Sequence, residues 1–358
     1  MKRTIVPKKK WQELTDEELG GKRENTVCVV RYGGFGDALQ ISSIFPLLKK
    51  QGYSVCVNAT EGSKEILSHD PNVDELLIQD TGQIPNEELG QYWERITPLF
   101  DKFINLGGVI EQTLLCLEGQ DIYTWAHDKR HSELDINYGE ALHDKAEVGH
   151  IFRPKFYPSK LEKKWVKRQR KEMKLAPHKF VVLIALSGSA VHKAYPHMDA
   201  VMANLLIRWP HVRFVMVGDD FCKMLESGWE KEKRVFLKSG EWSIRNTLAF
   251  AQTVDLVLGP ETGVLNAVSA EDIAKVVLLS HSSRENLTKH WVNTTSLTPE
   301  DVDCYPCHKM HYGFKTCNRD PKTGGSLCAA NIDPRKVVDS IVFHRKLKND
   351  ISGTLSNR

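Results

Sequence analysis

Short apolar runs separated by helical patterns recur along the chain from residue 27 onward. Residues 27–32 and 53–58 are typical of strands, and the segment between them places apolar side chains at helical spacing: Ala38, Ile41, Ile44, Phe45 and Leu48. Pro46 predicts a kink in that helix. Further apolar runs at 73–78 and 103–106 end in turn or polar residues. This alternation of strands and helices predicts a parallel, Rossmann-like sheet.

A second alternation begins at residue 180. The run FVVLIAL at 180–186 is continuously apolar, as expected of a strand buried on both faces. A helix with an apolar face follows at 201–209, and Pro334 suits the first position of a last helix. Further strands are predicted at 212–217, 234–237, 254–258 and 273–279. The chain is therefore expected to be an α/β protein with two Rossmann-like domains and a cleft between them.

The basic segment 160–174 marks the expected domain junction. It carries eight basic and two acidic residues on a predicted helix and is followed by a break at Ala176-Pro177. Such helices usually present a solvated face, and a stripe that follows nucleic-acid phosphates is the alternative. The predicted organisation is an N-terminal extension at 1–25, a first domain at 26–158, a linker helix at 159–177, a second domain at 178–335 and a C-terminal helix and tail at 336–358.

Composition adds few constraints. The chain has 358 residues with 41% hydrophobic content, enough to bury a full core. Lysine and arginine number 49 against 46 acids, so no strong field demands nucleic acid or anionic lipid as a partner. The N-terminal residues lack the apolar core of a signal peptide, and no apolar run approaches the length of a membrane span. We expect a soluble, cytoplasmic protein.

The first strand ends in a glycine-rich corner. Gly34 and Gly36 do not form a dinucleotide fingerprint, because Leu39 stands where the third glycine of G-x-G-x-x-G would be. What remains is a flexible turn that brings Asp37 to a helix N-terminus. One interpretation is a helix cap, and the other is a general base at the mouth of the cleft.

Two corners in the second half have the residue types of a phosphate site. The strand at 254–258 stops at Gly259-Pro260 and opens a predicted helix, so Glu261, Thr262 and Gly263 lie where free N–H groups bind a diphosphate. The strand at 180–186 is followed by small residues and a lysine: Ser187, Gly188, Ser189 and Lys193. Either an ordinary loop with a solvated lysine or a diphosphate site fits this second corner. Both loops follow parallel strands, whose carboxyl ends bind ligands in open α/β sheets.

Four cysteines cluster near the C-terminus, at Cys304, Cys307, Cys317 and Cys328. Four thiolates at this spacing can form one tetrahedral site for zinc or iron. His308 or His311 could replace one cysteine. Free thiols and disulfides are the alternatives, the latter disfavoured in a cytoplasmic protein. A closed four-ligand site predicts a structural role. The other four cysteines, Cys28, Cys56, Cys116 and Cys222, are expected to be buried, reduced thiols.

With these residues assembled, the chain resembles the family 9 glycosyltransferases, which include the heptosyltransferases of lipopolysaccharide synthesis. The resemblance rests on the segments GGFGDALQISSIFPLL, KAYP at 193–196, GPETGVLNAVSA and NIDPRKVVDSI. It implies a GT-B architecture in which the first domain binds the acceptor and the second binds a nucleotide sugar. The cysteine cluster resembles the four-cysteine iron finger of a branch that glycosylates autotransporter proteins, which implies iron and a protein acceptor as possibilities.

The resemblance also implies roles for single residues. Asp37 occupies the general-base position, Lys193 that of the lysine at the donor diphosphate, and Thr262 with Gly263 that of the phosphate-binding turn. Two donor-side positions depart from the family pattern: Glu261 replaces the usual aspartate and Asn266 the usual histidine. The donor sugar therefore does not carry over.

The principal hypothesis is an inverting glycosyltransferase that moves a sugar from a nucleotide diphosphate to an acceptor hydroxyl without a catalytic divalent ion. The acceptor is expected to be a glycan, a lipopolysaccharide or a protein. One alternative is transfer to a hydroxymethylated base of DNA, with the segment 160–174 following the phosphates. The other is a non-catalytic module that binds a nucleotide sugar or a partner.

Overall fold

The computed structural model describes residues 3–5, 10–19, 24–79, 84–188 and 190–356. The chain divides into two compact units. The first combines Met1–Ile110 with Tyr138–Tyr157, and the second combines Glu111–Asn137 with Pro158–Arg358. Each unit is built on one parallel sheet, as the alternation of strands and helices in the sequence predicts.

The strands of the first unit are β1 Arg3–Ile5, β2 Thr26–Arg31, β3 Ser54–Thr60, β4 Glu75–Gln79 and β5 Lys102–Asn105. They pair in the order β1-β4-β3-β2-β5, and every pair is parallel. Strand β2 is buried along its whole length. Helices cover both faces of a parallel sheet, and a strand buried on both faces reads as a nearly continuous apolar run.

The strands of the second unit are β6 Phe180–Ala185, β7 Val212–Val217, β8 Val235–Leu237, β9 Leu256–Pro260, β10 Ala274–Leu278 and β11 Thr294–Leu297. Their order is β11-β10-β9-β6-β7-β8, again parallel throughout. The central strands β6, β9 and β10 are neighbours. The loops that follow them therefore leave the same edge of the sheet.

The α-helices are α1 Phe35–Ile41, α2 Phe45–Lys50, α3 Glu61–Leu67, α4 Leu89–Ile96, α5 His127–Leu134, α6 Tyr138–Ala146, α7 Lys160–Glu172, α8 Met198–Arg208, α9 Ile244–Ala251, α10 Gly263–Asn266, α11 Arg284–Leu287, α12 Leu327–Ala330 and α13 Pro334–Ser356. Short 3-10 helices lie at Trp11–Glu13, Asn86–Glu88, Thr97–Leu99, Asp121–Thr124, Val191–Lys193 and Asp220–Glu226.

Two local predictions are corrected, and two edge strands were missed. The helix expected to kink at Pro46 is two helices, α1 and α2, because the chain turns at residues 42–44 and Pro46 lies in the first turn of α2. The helix after the Gly259-Pro260 corner is a single turn, and strand β9 continues through that dipeptide. The edge strands β1 and β11 were not expected from the sequence.

The segment Glu111–Asn137 packs with the second unit, whereas the sequence-based boundaries grouped it with the first domain. Its backbone pairs with the cysteine-rich segment: Cys116 N donates to His308 O at 2.7 Å, and Met310 N donates to Cys116 O at 3.0 Å. Arg130 adds a hydrogen bond from Nε to Cys307 O at 2.7 Å. These pairings join residues almost two hundred positions apart, which no local pattern indicates.

The basic helix α7 begins with a capping box between Ser159 and Glu162. Glu162 also accepts hydrogen bonds from Arg245 Nε and Nη2 at 2.5 and 2.8 Å. Val166 is buried, while most of the basic side chains of the helix are exposed. This pattern is expected both of a solvated face and of a stripe that follows phosphates, so the two interpretations stay predictions.

Among the helices of the described residues, none has the length and apolar character needed to cross a lipid bilayer.

Candidate functional site

In the first unit, Asp37 lies in the first turn of α1, just beyond the carboxyl end of β2. Its Oδ2 accepts a hydrogen bond from Gly34 N at 2.7 Å, which caps the helix. Its Oδ1 pairs at 2.5 Å with Nη2 of Arg31, the last residue of β2. The helix-cap interpretation is therefore confirmed. The role of Asp37 as a general base stays a prediction.

Glycine is required at the start of this corner. Gly33 has a φ of +142°, and a Cβ built on it would lie 2.5 Å from Asp37 Oδ2. Gly34 is the N-cap residue of α1 and Gly36 lies in its first turn. The glycine-rich turn thus lets the Asp37 carboxylate fold back over the backbone. The Asp37 side chain keeps 25% of its surface exposed, enough to meet a ligand.

In the second unit, the loops after β6 and β9 meet at Lys193 and Glu261. Lys193 Nζ donates to the main-chain carbonyl of Glu261 at 3.1 Å. Gly188 fits between them, since a Cβ there would lie 2.8 Å from Lys193 Cδ and 3.2 Å from Glu261 O. The sequence-predicted donor residues Gly188, Lys193, Glu261 and Thr262 are therefore brought together.

Thr262 has an unusual hydroxyl. It is the N-cap residue of α10, and its Oγ1 is buried with no hydrogen-bond partner among the described residues. A buried hydroxyl in this state commonly marks a place where a ligand or water binds. Thr262 Cγ2 lies 3.4 Å from the position that a Gly188 Cβ would occupy. The hydroxyl thus belongs to the same corner as Lys193.

The carboxylate of Glu261 is turned into the protein. It accepts hydrogen bonds from the backbone N–H and the hydroxyl of Ser280, at 2.9 and 3.1 Å, and from the hydroxyl of Ser282 at 2.8 Å. His281 Nδ1 lies 2.8 Å from its Oε2. Burial alone would raise the pKa of Glu261, but His281, Lys193 and the Ser280 N–H outweigh burial and hold it well below its usual range.

The Glu261 side chain therefore orients its own loop rather than facing a ligand. A buried ionised carboxylate with this many donors is fixed in place, and its backbone carbonyl in turn fixes Lys193. His281 continues the network, because its Nδ1 also lies 3.1 Å from His192 Nε2. His192 precedes Lys193 in the chain, and burial lowers its pKa to about 3, which keeps its ring neutral. Both ends of the Lys193 to Glu261 contact are thus held by buried partners.

The remaining predicted donor residues have mixed surroundings. Gly259 lies within β9, where a Cβ would come within 2.6 Å of Ala185 O, so glycine lets β6 and β9 approach each other. Gly263 and Asn266 are the first and last residues of α10. Ser187 follows β6 and is partly exposed, and Ser189 lies outside the described residues. Donor binding by these residues stays a prediction.

The four clustered cysteines are close in space as well as in sequence. Negative charge on Cys304 would raise the pKa of each of the other three thiols, which places Cys307, Cys317 and Cys328 near it. Burial raises the pKa of Cys317 to about 12 and that of Cys328 to about 11, so both are protonated thiols at neutral pH. All eight cysteines, which lie in the described part of the chain, are free thiols, and Cys28, Cys56, Cys116 and Cys222 are buried as predicted.

The expected four-cysteine iron finger is not shown by the structure. No three of the four sulfurs lie within 4.8 Å of one another in the described part of the chain. Their donor chemistry nevertheless suits zinc or iron, which bind thiolates, so the residues present fit a metal.

His311 and His308, the two alternative ligands, point to different partners. His311 Nε2 lies 3.6 Å from Cys307 Sγ, about the separation of two ligands on one tetrahedral zinc. Its Nδ1 lies 3.1 Å from Thr316 Oγ1, a partner of the kind that orients histidine ligands. His308 instead faces His131, with a distance of 3.0 Å between His131 Nδ1 and His308 Nε2. His311 is thus the histidine of the cysteine cluster.

Solved structures share this architecture. The chain superposes on the glycosyl transferase family 9 protein from Veillonella parvula with a TM-score of 0.67 and 12% identity, covering 90% of this chain and 99% of that one. The ADP-heptose LPS heptosyltransferase II of E. coli gives 0.62 and 12%, with the same coverage. The iron-containing heptosyltransferase TibC, in complex with ADP-D-beta-D-heptose, gives 0.59 and 13%, covering 92% of this chain and 79% of TibC. The chain has the GT-B fold of these heptosyltransferases. No protein-family model matches the sequence, and no curated protein matches it significantly.

Within this GT-B fold, the loops after β6, β9 and β10 leave one edge of the second sheet. The first two carry the predicted donor residues. The third, at Ser280 to Ser282, carries the partners of Glu261 and was missed by the sequence prediction. The available signal was a polar run, SHSS, directly after a buried strand.

Proposed function

We propose that the protein is a glycosyltransferase that takes its sugar from a nucleotide-diphosphate sugar. The observation that carries the proposal is the meeting of Lys193, Gly188 and Thr262 in one corner of the second sheet, in a chain with the GT-B fold. This corner combines a cation, a hydroxyl that has no partner among the described residues, and a close backbone approach. Those are the features that bind phosphate oxygens. Two of the similar structures are the ADP-heptose LPS heptosyltransferase II of E. coli and TibC in complex with ADP-D-beta-D-heptose. Both support a nucleotide-sugar donor for this protein.

In the proposed reaction, an acceptor hydroxyl attacks the anomeric carbon as the bond to the diphosphate breaks. Asp37 takes the hydroxyl proton, and the product has inverted anomeric configuration. General-base assistance of this kind contributes roughly 10²- to 10⁴-fold in rate. The ion pair with Arg31 holds the Asp37 carboxylate in position at the start of α1.

The departing diphosphate gains negative charge in the transition state. Lys193 and the free N–H groups at the start of α10 would stabilise this charge. Because α10 is one turn long, its contribution is hydrogen bonding by those N–H groups rather than a macrodipole. We assign no catalytic divalent ion to this step.

We propose a structural zinc or iron ion at Cys304, Cys307, Cys317 and Cys328, with His311 as the alternative to one thiolate. When bound, the ion would neutralise the thiolates and tie the cysteine-rich segment together. TibC, which has the same fold, is an iron-containing heptosyltransferase, and this supports the metal proposal. The acceptor is proposed to be a glycan or a protein hydroxyl. Helix α7 is proposed to be solvated rather than bound to DNA.

The test is a panel of nucleotide sugars added to the purified full-length protein. We expect one nucleoside-diphosphate sugar to raise the melting temperature, since a ligand at 100 times its dissociation constant stabilises by about 2.7 kcal/mol. The same compound should be hydrolysed slowly to free sugar and nucleoside diphosphate. The matching nucleoside monophosphate should stabilise less, because it lacks the second phosphate. Equal stabilisation by mono- and diphosphate would contradict the assignment of the corner at Lys193.

A further inference from the structure

Outside the donor corner and the cysteine cluster, the second unit brings together two histidines and an aspartate. One ligand atom from each of His131, Asp135 and His308 lies within 4.8 Å of the others. His131 and Asp135 are partly exposed, and His308 is fully buried. His308 is distant in sequence from the other two, so the fold brings it to them.

The first two members share one face of a helix end. His131 lies on α5, and Asp135 directly follows the helix, so the two are four residues apart and project to the same side. Asn286 fixes the backbone around Asp135, because its Nδ2 donates to the carbonyls of Leu134 and Ile136 at 2.8 and 2.9 Å. The Ser283 hydroxyl donates to Asp135 Oδ1. Ser283 and Asn286, which are not members of the group of three, therefore hold the Asp135 carboxylate in place.

His308 is held by its backbone. Its N–H donates to His281 O at 2.9 Å, and its carbonyl accepts from Cys116 N at 2.7 Å. Its φ is +54°, a value that residues other than glycine adopt rarely and that concentrates at functional sites. The ring is stacked against His131 with centroids 5.2 Å apart. The two anchored backbone segments thus bring His131 Nδ1 within 3.0 Å of His308 Nε2.

This geometry suits a shared cation. For metal–nitrogen bonds of about 2.1 Å, a separation of 3.0 Å between the nitrogens corresponds to an angle of about 90° at the metal. Two imidazoles and a carboxylate form a donor set for divalent transition metals that leaves coordination positions open.

We infer that His131, Asp135 and His308 bind a divalent transition-metal ion, separate from the four-cysteine site. The ion would replace the hydrogen bond between the two imidazoles. Its open positions would take water or an anionic oxygen ligand. Asp135 would supply the negative charge, with Ser283 orienting it as an outer partner.

The experiment is a titration of the full-length, chelator-treated and reduced protein with Co²⁺, followed by absorbance and by elemental analysis after gel filtration. Cobalt bound to thiolates shows a sulfur-to-metal charge-transfer band, whereas cobalt bound to nitrogen and oxygen does not. We expect a second equivalent of cobalt per chain that adds no charge-transfer intensity. The thiolate band reports the cysteine cluster alone, so failure of that proposed site is seen separately.

The variants His131→Ala and Asp135→Asn should each lose this second equivalent and keep the thiolate band. The side-chain amide introduced by Asp135→Asn can still accept a hydrogen bond from Ser283, which guards against loss of folding in this variant. His127→Ala is the matched control: His127 lies one turn earlier and stacks on His131 with centroids 6.1 Å apart, outside the triad. It should keep the second equivalent. Wild-type protein that binds no cobalt beyond the amount accounted for by the thiolate band, or a folded Asp135→Asn variant that retains this additional cobalt, would overturn the inference.

Discussion

Lys193 Nζ donates a 3.1 Å hydrogen bond to the backbone carbonyl of Glu261, which joins the loops that follow two neighbouring strands. Both residues are more than 90% buried. The bond places a cation beside the turn at Thr262 without using the Glu261 carboxylate, which Ser280, Ser282 and His281 hold. The corner is thus preorganised before any donor binds, a property expected of a site that must stabilise developing charge.

Gly188→Ala should weaken binding of the nucleotide-sugar donor at least tenfold. The new Cβ would lie 2.8 Å from Lys193 Cδ and 3.2 Å from Glu261 O, so the lysine must move away from the corner. Isothermal titration with the nucleoside diphosphate measures the effect. Gly149→Ala is the matched control, since its Cβ meets nothing within 4 Å. Unchanged affinity in the Gly188 variant would mean that this corner does not hold the donor.

Glu261→Gln should destabilise the protein at neutral pH by about 3 kcal/mol, because a buried charge with several donors is lost. The pKa of Glu261 is held well below its usual range, so its stabilisation is complete above about pH 4.5 and is lost as pH falls toward the folded-state pKa. The gap in unfolding free energy between wild type and variant should therefore narrow below pH 4.5. Urea unfolding at pH 7, 5 and 4 checks this. A gap of constant size would show that Glu261 is not ionised in the folded state.

Asp37→Asn should reduce turnover by roughly 10²- to 10⁴-fold while leaving donor affinity within about twofold. The variant also loses the ion pair with Arg31, so a lower melting temperature is expected. Asp37→Glu separates the two effects, because it keeps a charge for Arg31 but moves the carboxylate. It should recover stability more than turnover. Recovery of both to the same degree would indicate that Asp37 acts only through Arg31 and the helix cap.

The sequence predicts the central strands well and the edges poorly. Strands such as β6 and β7 are continuous apolar runs because both faces are covered, and their predicted bounds differ from the structure by one residue at most. Strand β11 reads TTSL and is half-buried along its length, so it carries no comparable signal. Edge strands of this kind are defined by their neighbour rather than by their own composition.

The same limit applies to the site. The rule that loops after parallel strands share an edge predicts the meeting of Lys193 with the Glu261 turn. It does not predict that the Glu261 side chain faces inward to Ser280 and Ser282, because an acidic residue in a turn is usually solvated. Nor does local pattern bring His131 to His308, since the backbone pairing of Cys116 with His308 decides it. Contacts between distant segments were the part that required the structure.

Removal of zinc or iron should lower the melting temperature, and the substitution Cys317→Ala should abolish metal retention at the thiolates. Burial raises the pKa of Cys317 to about 12, so metal must displace its proton. Affinity should therefore fall steeply as pH decreases from 8 to 6. Elemental analysis of protein dialysed at each pH measures the amount of metal that the chain retains. Cys56→Ala, a buried thiol of the first unit, is the control. Full retention of metal by the Cys317 variant would contradict the proposed ligand set.

The most direct measurement of the central claim is the release of nucleoside diphosphate from a nucleotide sugar by wild type, Lys193→Met and Lys163→Met. Lys163 is an exposed lysine of α7 and provides the matched control. We predict that wild type and the Lys163 variant turn over the donor equally. The Lys193 variant, folded to the same melting temperature, should release nucleoside diphosphate more slowly at low donor concentration. It should bind the diphosphate roughly 10- to 100-fold more weakly, as expected for loss of a charge-assisted hydrogen bond worth about 1.5–3 kcal/mol. Equal donor binding and turnover by the Lys193 variant would contradict the account.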